Sequence, residues 1–242
     1  MSSRQERRAA ARGHAGSGGP KKNDPMSAVY IGFGVAILLV FIGFGLFNFK
    51  KTQDIKAAYA TPTPGPNASG KPIQIKDITN GGQARVGKSI WKDGDVYGGG
   101  QGSPVDGIKC EVTEQVIFHI HPHLDIFDRG TQIQIPKYVG MVPGANGGGC
   151  LYWVHTHDGS GIIHIEAPEL ATYTLGNFFH IWGESLSRNA VGTLSGPVTA
   201  FVNGSKYDGN LADIPFTAHT QVTLEVGTPV VPPRNYTFPP SE

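Results

Sequence analysis

The sequence predicts a mostly β protein: a β-sandwich or barrel-like extracytoplasmic domain with one short helix, preceded by a single transmembrane helix. Three observations lead there. Residues 28–47 form a run of 20 residues without a charge. Two later stretches, 116–127 and 151–167, alternate residue types with the period of a strand. Past the apolar run, only 174–187 carries an apolar stripe at helical spacing.

The N-terminal region explains the charge distribution. Net charge is +1, but residues 1–26 carry six Lys/Arg against two Asp/Glu, whereas 73–242 carries ten against sixteen. The acidic excess of the larger part argues against a nucleic-acid partner. As a helix, the uncharged run would extend ~30 Å, the thickness of a bilayer core. Arg4, Arg7, Arg8, Arg12, Lys21 and Lys22 precede it, against Lys50, Lys51 and Lys56 after it. That bias places the N-terminus in the cytoplasm and the C-terminal domain outside it. The expected organisation is a disordered basic cytoplasmic tail (1–27), a transmembrane helix (28–49), a Pro/Thr/Gly-rich linker (50–72) and a His-rich β domain (73–242). The expected location is the cell membrane, as a single-pass protein. A cleaved signal peptide is the competing reading, because Ala58-Tyr59-Ala60 fits a small-x-small cleavage site. The apolar run is long for a signal sequence, however, and this site lies well past its end.

The chain holds two cysteines, Cys110 and Cys150. Outside the cytoplasm an even count favours a disulfide, which by loop closure contributes roughly 3–4 kcal/mol. The alternative is two thiols, one of them a metal ligand.

Within 116–127, Val116, Phe118, Ile120, Leu124 and Ile126 alternate with Ile117, His119, His121, His123, Asp125 and Phe127. Period two puts the three histidines on the face opposite the core. Pro122 lacks a backbone donor, which argues for an edge strand or a bend near His121. A second strand is expected over 131–135. Residues 151–167 read as a hairpin whose turn is Asp158-Gly159-Ser160-Gly161. Centred on Gly159-Ser160, it pairs His155 with His164, His157 with Ile162 and Trp153 with Glu166. His155, His157, His164 and Glu166 then share a face. Thr174 caps the expected helix, and Leu175, Phe178, Phe179, Trp182 and Leu186 form its stripe. Strands return at 198–202 and 220–226 around an Asn203-Gly204 turn. Residues 73–106 read as a covering segment, and the tail from Pro229, with five prolines, as a surface strand of chain.

Six of the nine histidines thus fall in two short blocks, each shortly after a cysteine. Imidazoles two residues apart on a strand, or facing each other across a pair, can meet one ion at ~2.0–2.1 Å. The expected metal ligands are His119, His121, His123, His155, His157, His164 and Glu166, with Asp125 a further candidate. Nitrogen-rich donor sets outside the cytoplasm suit copper or zinc. His180 and His219 stand apart from this pattern. No Ser–His–Asp or Cys–His nucleophile arrangement is evident.

The blocks at 116–127, 153–166 and 175–183 resemble an uncharacterised group of membrane-anchored bacterial proteins. That group carries His-x-His-x-His-Leu, His-Thr-His-Asp-x-Ser-Gly-Ile-Ile-His and Thr-Leu-Gly-x-Phe-Phe segments. The resemblance implies a bacterial envelope location and brings no activity with it. Three functions follow as expectations: a metal-binding module on the outer face of the membrane, a non-catalytic β-rich accessory subunit of a membrane complex with structural histidines, and a His-ligated metalloenzyme. The implied partners are the membrane and, in the second case, other subunits of such a complex.

Overall fold

Pro25 opens the first helix, where its missing N–H is no loss. In a computed structural model that describes residues 25–75, 87, 89–94, 99–144 and 148–240, helix α1 runs Pro25–Ala58. The expected tail, 1–27, lies mostly outside the described residues. The chain divides into two compact units, Met1–Thr52 and Gln53–Glu242. In the first, Gly32 to Thr52 is helical and exposed on every face, a helix long and apolar enough to cross a membrane. It continues past the expected end at residue 49 through Lys50, Lys51 and Lys56, good helix formers.

The second unit is mostly β. Its strands are β1 (Ser69–Gln74), β2 (Cys110–Glu111), β3 (Phe118–Ile120), β4 (His123–Asp128), β5 (Thr131–Ile133), β6 (Met141–Pro143), β7 (Gly149–Tyr152), β8 (Val154–His155) and β9 (His164–Ala167). Helix α2 (Leu175–Trp182) follows, then β10 (Leu186–Ser187), β11 (Ala190–Val191), β12 (Leu194–Ser195), β13 (Val198–Val202), β14 (Ser205–Tyr207), β15 (Gln221–Val226) and β16 (Arg234–Thr237). They form a five-stranded sheet in the order β14-β13-β15-β4-β5, three three-stranded sheets (β3-β9-β8, β2-β7-β6 and β10-β11-β12) and a parallel β1-β16 pair.

The single strand expected over 116–127 is two strands in different sheets. Pro122 makes the break. It has no N–H for a ladder, and the chain turns at His121-Pro122 from β3, paired with β9, into β4, paired parallel with β15. Val116 and Ile117, expected at the strand's start, are exposed instead. The alternation nonetheless holds across the corner, because Phe118, Ile120, Leu124 and Ile126 all reach one core.

Helix α2 packs Phe178, Phe179 and Trp182 into that core. Thr174 and Asn177 cap its start reciprocally, each side chain accepting from the other's backbone N–H. It ends five residues before the expected Ser187. Gly183 takes the left-handed conformation (φ 78°), where its N–H reaches Phe179 O, and Leu186 turns into strand.

The segment expected as a spacer up to residue 72 carries contacts of its own. Gly65 and Asn67 N–H groups donate to Asn203 and Gly204 carbonyls, and Ser69–Gln74 pairs with β16. Asn203 and Gly204 both have positive φ, the two-residue turn expected from their identity. A side chain on Gly204 would strike Ala68, so the turn fits this segment only as glycine. The proline-rich tail is likewise not confined to the surface: Tyr236 is buried, and Gln221 bonds its backbone N–H and carbonyl.

This strap covers a polar sheet face. Asp125, Gln132, Thr223 and Glu225 are all buried on the side of the five-stranded sheet away from the main core. Gln132 Nε2 donates to Asp125 Oδ1 at 2.7 Å, and Arg234 donates to Gln132 at 2.6 Å. Burial pushes the Glu225 carboxyl from its ordinary 4.5 up to about 7, with the charge of Asp125 adding to the effect and Arg234 opposing it. The folded-state value is above the unfolded one, so the folded state holds a proton that the unfolded state has released between those two pH values. Stability therefore falls as pH rises from about 4.5 to about 7, by an amount on the order of 3 kcal/mol. Glu225→Gln is expected to flatten this slope in thermal unfolding scans across that range; an unchanged slope would refute the assignment.

Cys110 and Cys150 are disulfide-bonded across 40 residues. A loop of that length corresponds to about 4 kcal/mol. Reduction, or Cys110→Ser with Cys150→Ser, is expected to lower the thermal midpoint by roughly 5–15 °C, and a midpoint unchanged by reductant would show that the bridge adds nothing.

Candidate metal centre

The central strand of the β3-β9-β8 sheet supplies the middle of the site. On β9, His164 and Glu166 are two residues apart and so share a face. His119 on β3 lies opposite Glu166, and His155 on β8 lies opposite His164. The second of these pairs is the register read from the hairpin sequence. His121 follows His119 past the end of β3, with its ring centroid 4.7 Å from that of His164. His157 follows His155, its ring 4.3 Å from His164. It does not pair with Ile162, which bridges to His123 instead.

The result is a cluster of five imidazoles, four of them facing one buried carboxylate and His121 packed against two of those four. Glu166 Oε1 lies 3.2 Å from His119 Nε2, 3.5 Å from His164 Nδ1 and 3.9 Å from His157 Nε2. Glu166 Oε2 lies 3.9 Å from His155 Nε2, and among the described residues it has no hydrogen-bond donor although it is buried. His155 Nε2 and His157 Nε2 are 3.1 Å apart. Glu114 closes the open side, its Oε1 3.6 Å from His157 Nε2. Two ligands held at ~2.0 Å on a tetrahedral ion sit about 3.3 Å apart. The observed spacings cluster around that value. Among the described residues, two sets have ligand atoms all within 4.8 Å of one another: His119, His121 and His164, and Glu114, His155, His157 and Glu166.

The protonation states suit a cation. His155 is fully buried, and its Nδ1–H donates to the Tyr152 carbonyl at 2.8 Å. That fixes the tautomer and leaves the Nε2 lone pair facing the cluster, as in ligating histidines held by a carbonyl. Burial pushes this imidazole down to about 3, with the Glu166 charge only partly offsetting it, so the ring stays neutral. Burial alone would raise Glu166, but the facing His157 and His164 ring nitrogens hold it well below the usual carboxylate range. A neutral His155 adds no charge to that effect. The centre thus sets an ionised carboxylate beside at least one unprotonated nitrogen, His155 Nε2, the donor types that bind a transition ion.

Local structure accounts for the convergence. Thr156, fully buried between the two histidines, donates from Oγ1 to Pro136 O at 3.0 Å and accepts from Val139 N–H at 3.1 Å. Its own N–H donates to Val139 O. This triple anchor sets the backbone from which His155 and His157 project. Gly140, at φ 80°, lets the chain pass so close that a side chain there would strike Val154 O and His155.

Two candidates lie elsewhere. His123 begins β4, in the other sheet, because Pro122 turns the chain. Its Nε2–H donates to Ser160 O at 2.8 Å, and its ring lies over Tyr236. Burial pushes it down, keeping it neutral. It tethers the hairpin turn instead of facing the five imidazoles. Asp125, also on β4, bonds Gln132 beneath the strap. His180 bonds Asp106 at 2.6 Å, and His219 stacks on Phe238. Conversely, the sequence does not mark Glu114 or Thr156 as site residues. Glu114 sits in a polar stretch with no period, and only its position four residues after Cys110 hinted that the disulfide would bring it beside β7 and β8.

Thr156→Val keeps the shape and removes the hydroxyl, leaving a buried N–H and C=O short of a partner. Thermal unfolding is expected to register a loss of about 1–3 kcal/mol; wild-type stability would show that the anchor is dispensable.

No protein-family model, no curated protein and no solved structure matches this chain.

Proposed function

We propose that this is a membrane-anchored metal-binding protein whose extracytoplasmic domain, residues 73–242, holds copper or zinc on the histidine cluster. The N-terminal tail lies in the cytoplasm and the apolar helix spans the membrane. The observation that carries this reading is the buried Glu166 carboxylate facing four imidazoles, with one of its oxygens lacking a donor among the described residues. Burying a charge is costly unless it is compensated, and a dication compensates it. The disulfide supports a location where thiols oxidise. Imidazole and carboxylate donors without thiolate suit divalent copper or zinc, and copper binds such sites more tightly.

One observation favours a metalloenzyme as a second reading. A cleft of about 550 Å³, lined by Val112, Tyr138, Met141, Val142 and Leu151 among others, includes Glu114 in its wall. An apolar cleft bordering a metal ligand is where an organic substrate would approach an ion with an open position.

The test is elemental analysis of the full chain, purified in detergent without a His tag. Copper or zinc is expected in the wild type and in His180→Ala, and clearly less of it after His155→Ala with His157→Ala. A folded wild-type chain that carries no metal and takes up none from added copper or zinc would overturn the proposal and favour a structural role for the histidines.

A further inference from the structure

We propose that the centre holds two metal ions bridged by the Glu166 carboxylate. This rests on the metal-binding reading above and goes beyond it in number and architecture.

The donors outnumber what one ion can take. A four-coordinate ion uses four ligands. Here five imidazoles and two carboxylates converge, and they divide by distance into two sets. The first is His119, His121 and His164, from β3, the corner after it, and β9. The second is His155 and His157 from the β8 side, with Glu114 and Glu166. Glu166 is a member of the second set, and its Oε1 also faces two nitrogens of the first. Its Oε1 is 3.2 Å from His119 Nε2 and 3.5 Å from His164 Nδ1, in the first set, and farther, 3.9 Å, from His157 Nε2 in the second, while its Oε2 is 3.9 Å from His155 Nε2, also in the second. Counting Glu166 once on each side, each set offers four ligands: three nitrogens and one oxygen, and two nitrogens and two oxygens. Neither set is short of a tetrahedral shell.

A carboxylate that offers one oxygen to each ion is the ordinary way to hold a pair ~3.5–4 Å apart. The central position of β9 suits Glu166 to do so, since His119 lies directly opposite it on one flank and β8 runs along the other. Charge follows the same logic. Two dications exceed the charge of Glu166 and Glu114 by two, and hydroxide or another anion from solvent takes up the remainder. The open side is where Glu114 is half-exposed and where His119 and His157 are each 37 % exposed, so that anion has a route in.

The probe is copper(II), titrated into the metal-free full chain in detergent, with bound metal counted by equilibrium dialysis and elemental analysis. His119→Ala and His157→Ala each remove one rim ligand from a different set, and their exposure keeps the fold intact, which circular dichroism checks. The wild type is expected to bind two ions per chain, with an electron paramagnetic resonance signal well below two isolated spins because the bridged ions couple. Each rim variant should keep one ion at near wild-type affinity and weaken the other by roughly tenfold or more. Glu166→Gln should weaken both and restore the uncoupled signal from whatever copper remains. One ion per chain, lost equally in both rim variants, would overturn the pair and leave a single-ion centre standing. Two ions with unreduced signal, or two unaffected by Glu166→Gln, would overturn the bridge. No copper bound by a folded chain would overturn both this inference and the metal-binding reading beneath it.

Discussion

A carboxylate removed from water must be compensated, and Glu166 dictates how this sheet is built. Its side chain lies almost wholly buried, with the imidazoles of His119, His155, His157 and His164 within 3.9 Å and Glu114 in the same cluster. A three-stranded sheet would ordinarily set apolar residues on a covered face. Here β9 places His164 and Glu166 there, and both flanking segments answer with histidine. Core and site are then two faces of one sheet. Phe118, Ile120, Val154, Ile163 and Ile165 pack inward, and the alternation that buries them is what aims the histidines the other way.

That alternation is why much of the site could be read before any coordinates. A period of two, broken by one Asp-Gly-Ser-Gly turn, has few registers that keep Val154 and Ile165 inside. The register that does so also sets His155 against His164. The helix start at Thr174 and the Asn203-Gly204 turn were legible for the same reason, because local chemistry alone specifies them. What was not legible depends on where the chain goes after a local rule is satisfied. Pro122 announces a break, but nothing in its neighbourhood says that the strand beyond it joins another sheet, parallel to β15. His123 followed that turn away from its neighbours. The burial of Asp125, Thr223 and Glu225 depends on a strap from the far end of the chain, whose prolines read as surface. Glu114 depends on a disulfide partner 36 residues further on.

The two polar clusters show opposite responses to burial. Around Glu166, ring nitrogens surround the carboxylate and hold it ionised. Around Glu225 the closest acidic neighbour is Asp125, and burial wins, so the acid keeps its proton to near-neutral pH. The same side-chain chemistry is thus held ionised in one sheet and protonated in the other.

The disulfide sets an order of events. Pairing of Cys110 with Cys150 fastens β2 to β7 and delivers Glu114 to the mouth of the histidine ring. Before those cysteines pair, no covalent link holds that acid there, and the donor set lacks one of its two carboxylates. The grouping of Glu114 with the histidines is therefore that of the oxidised chain, the form favoured where thiols oxidise.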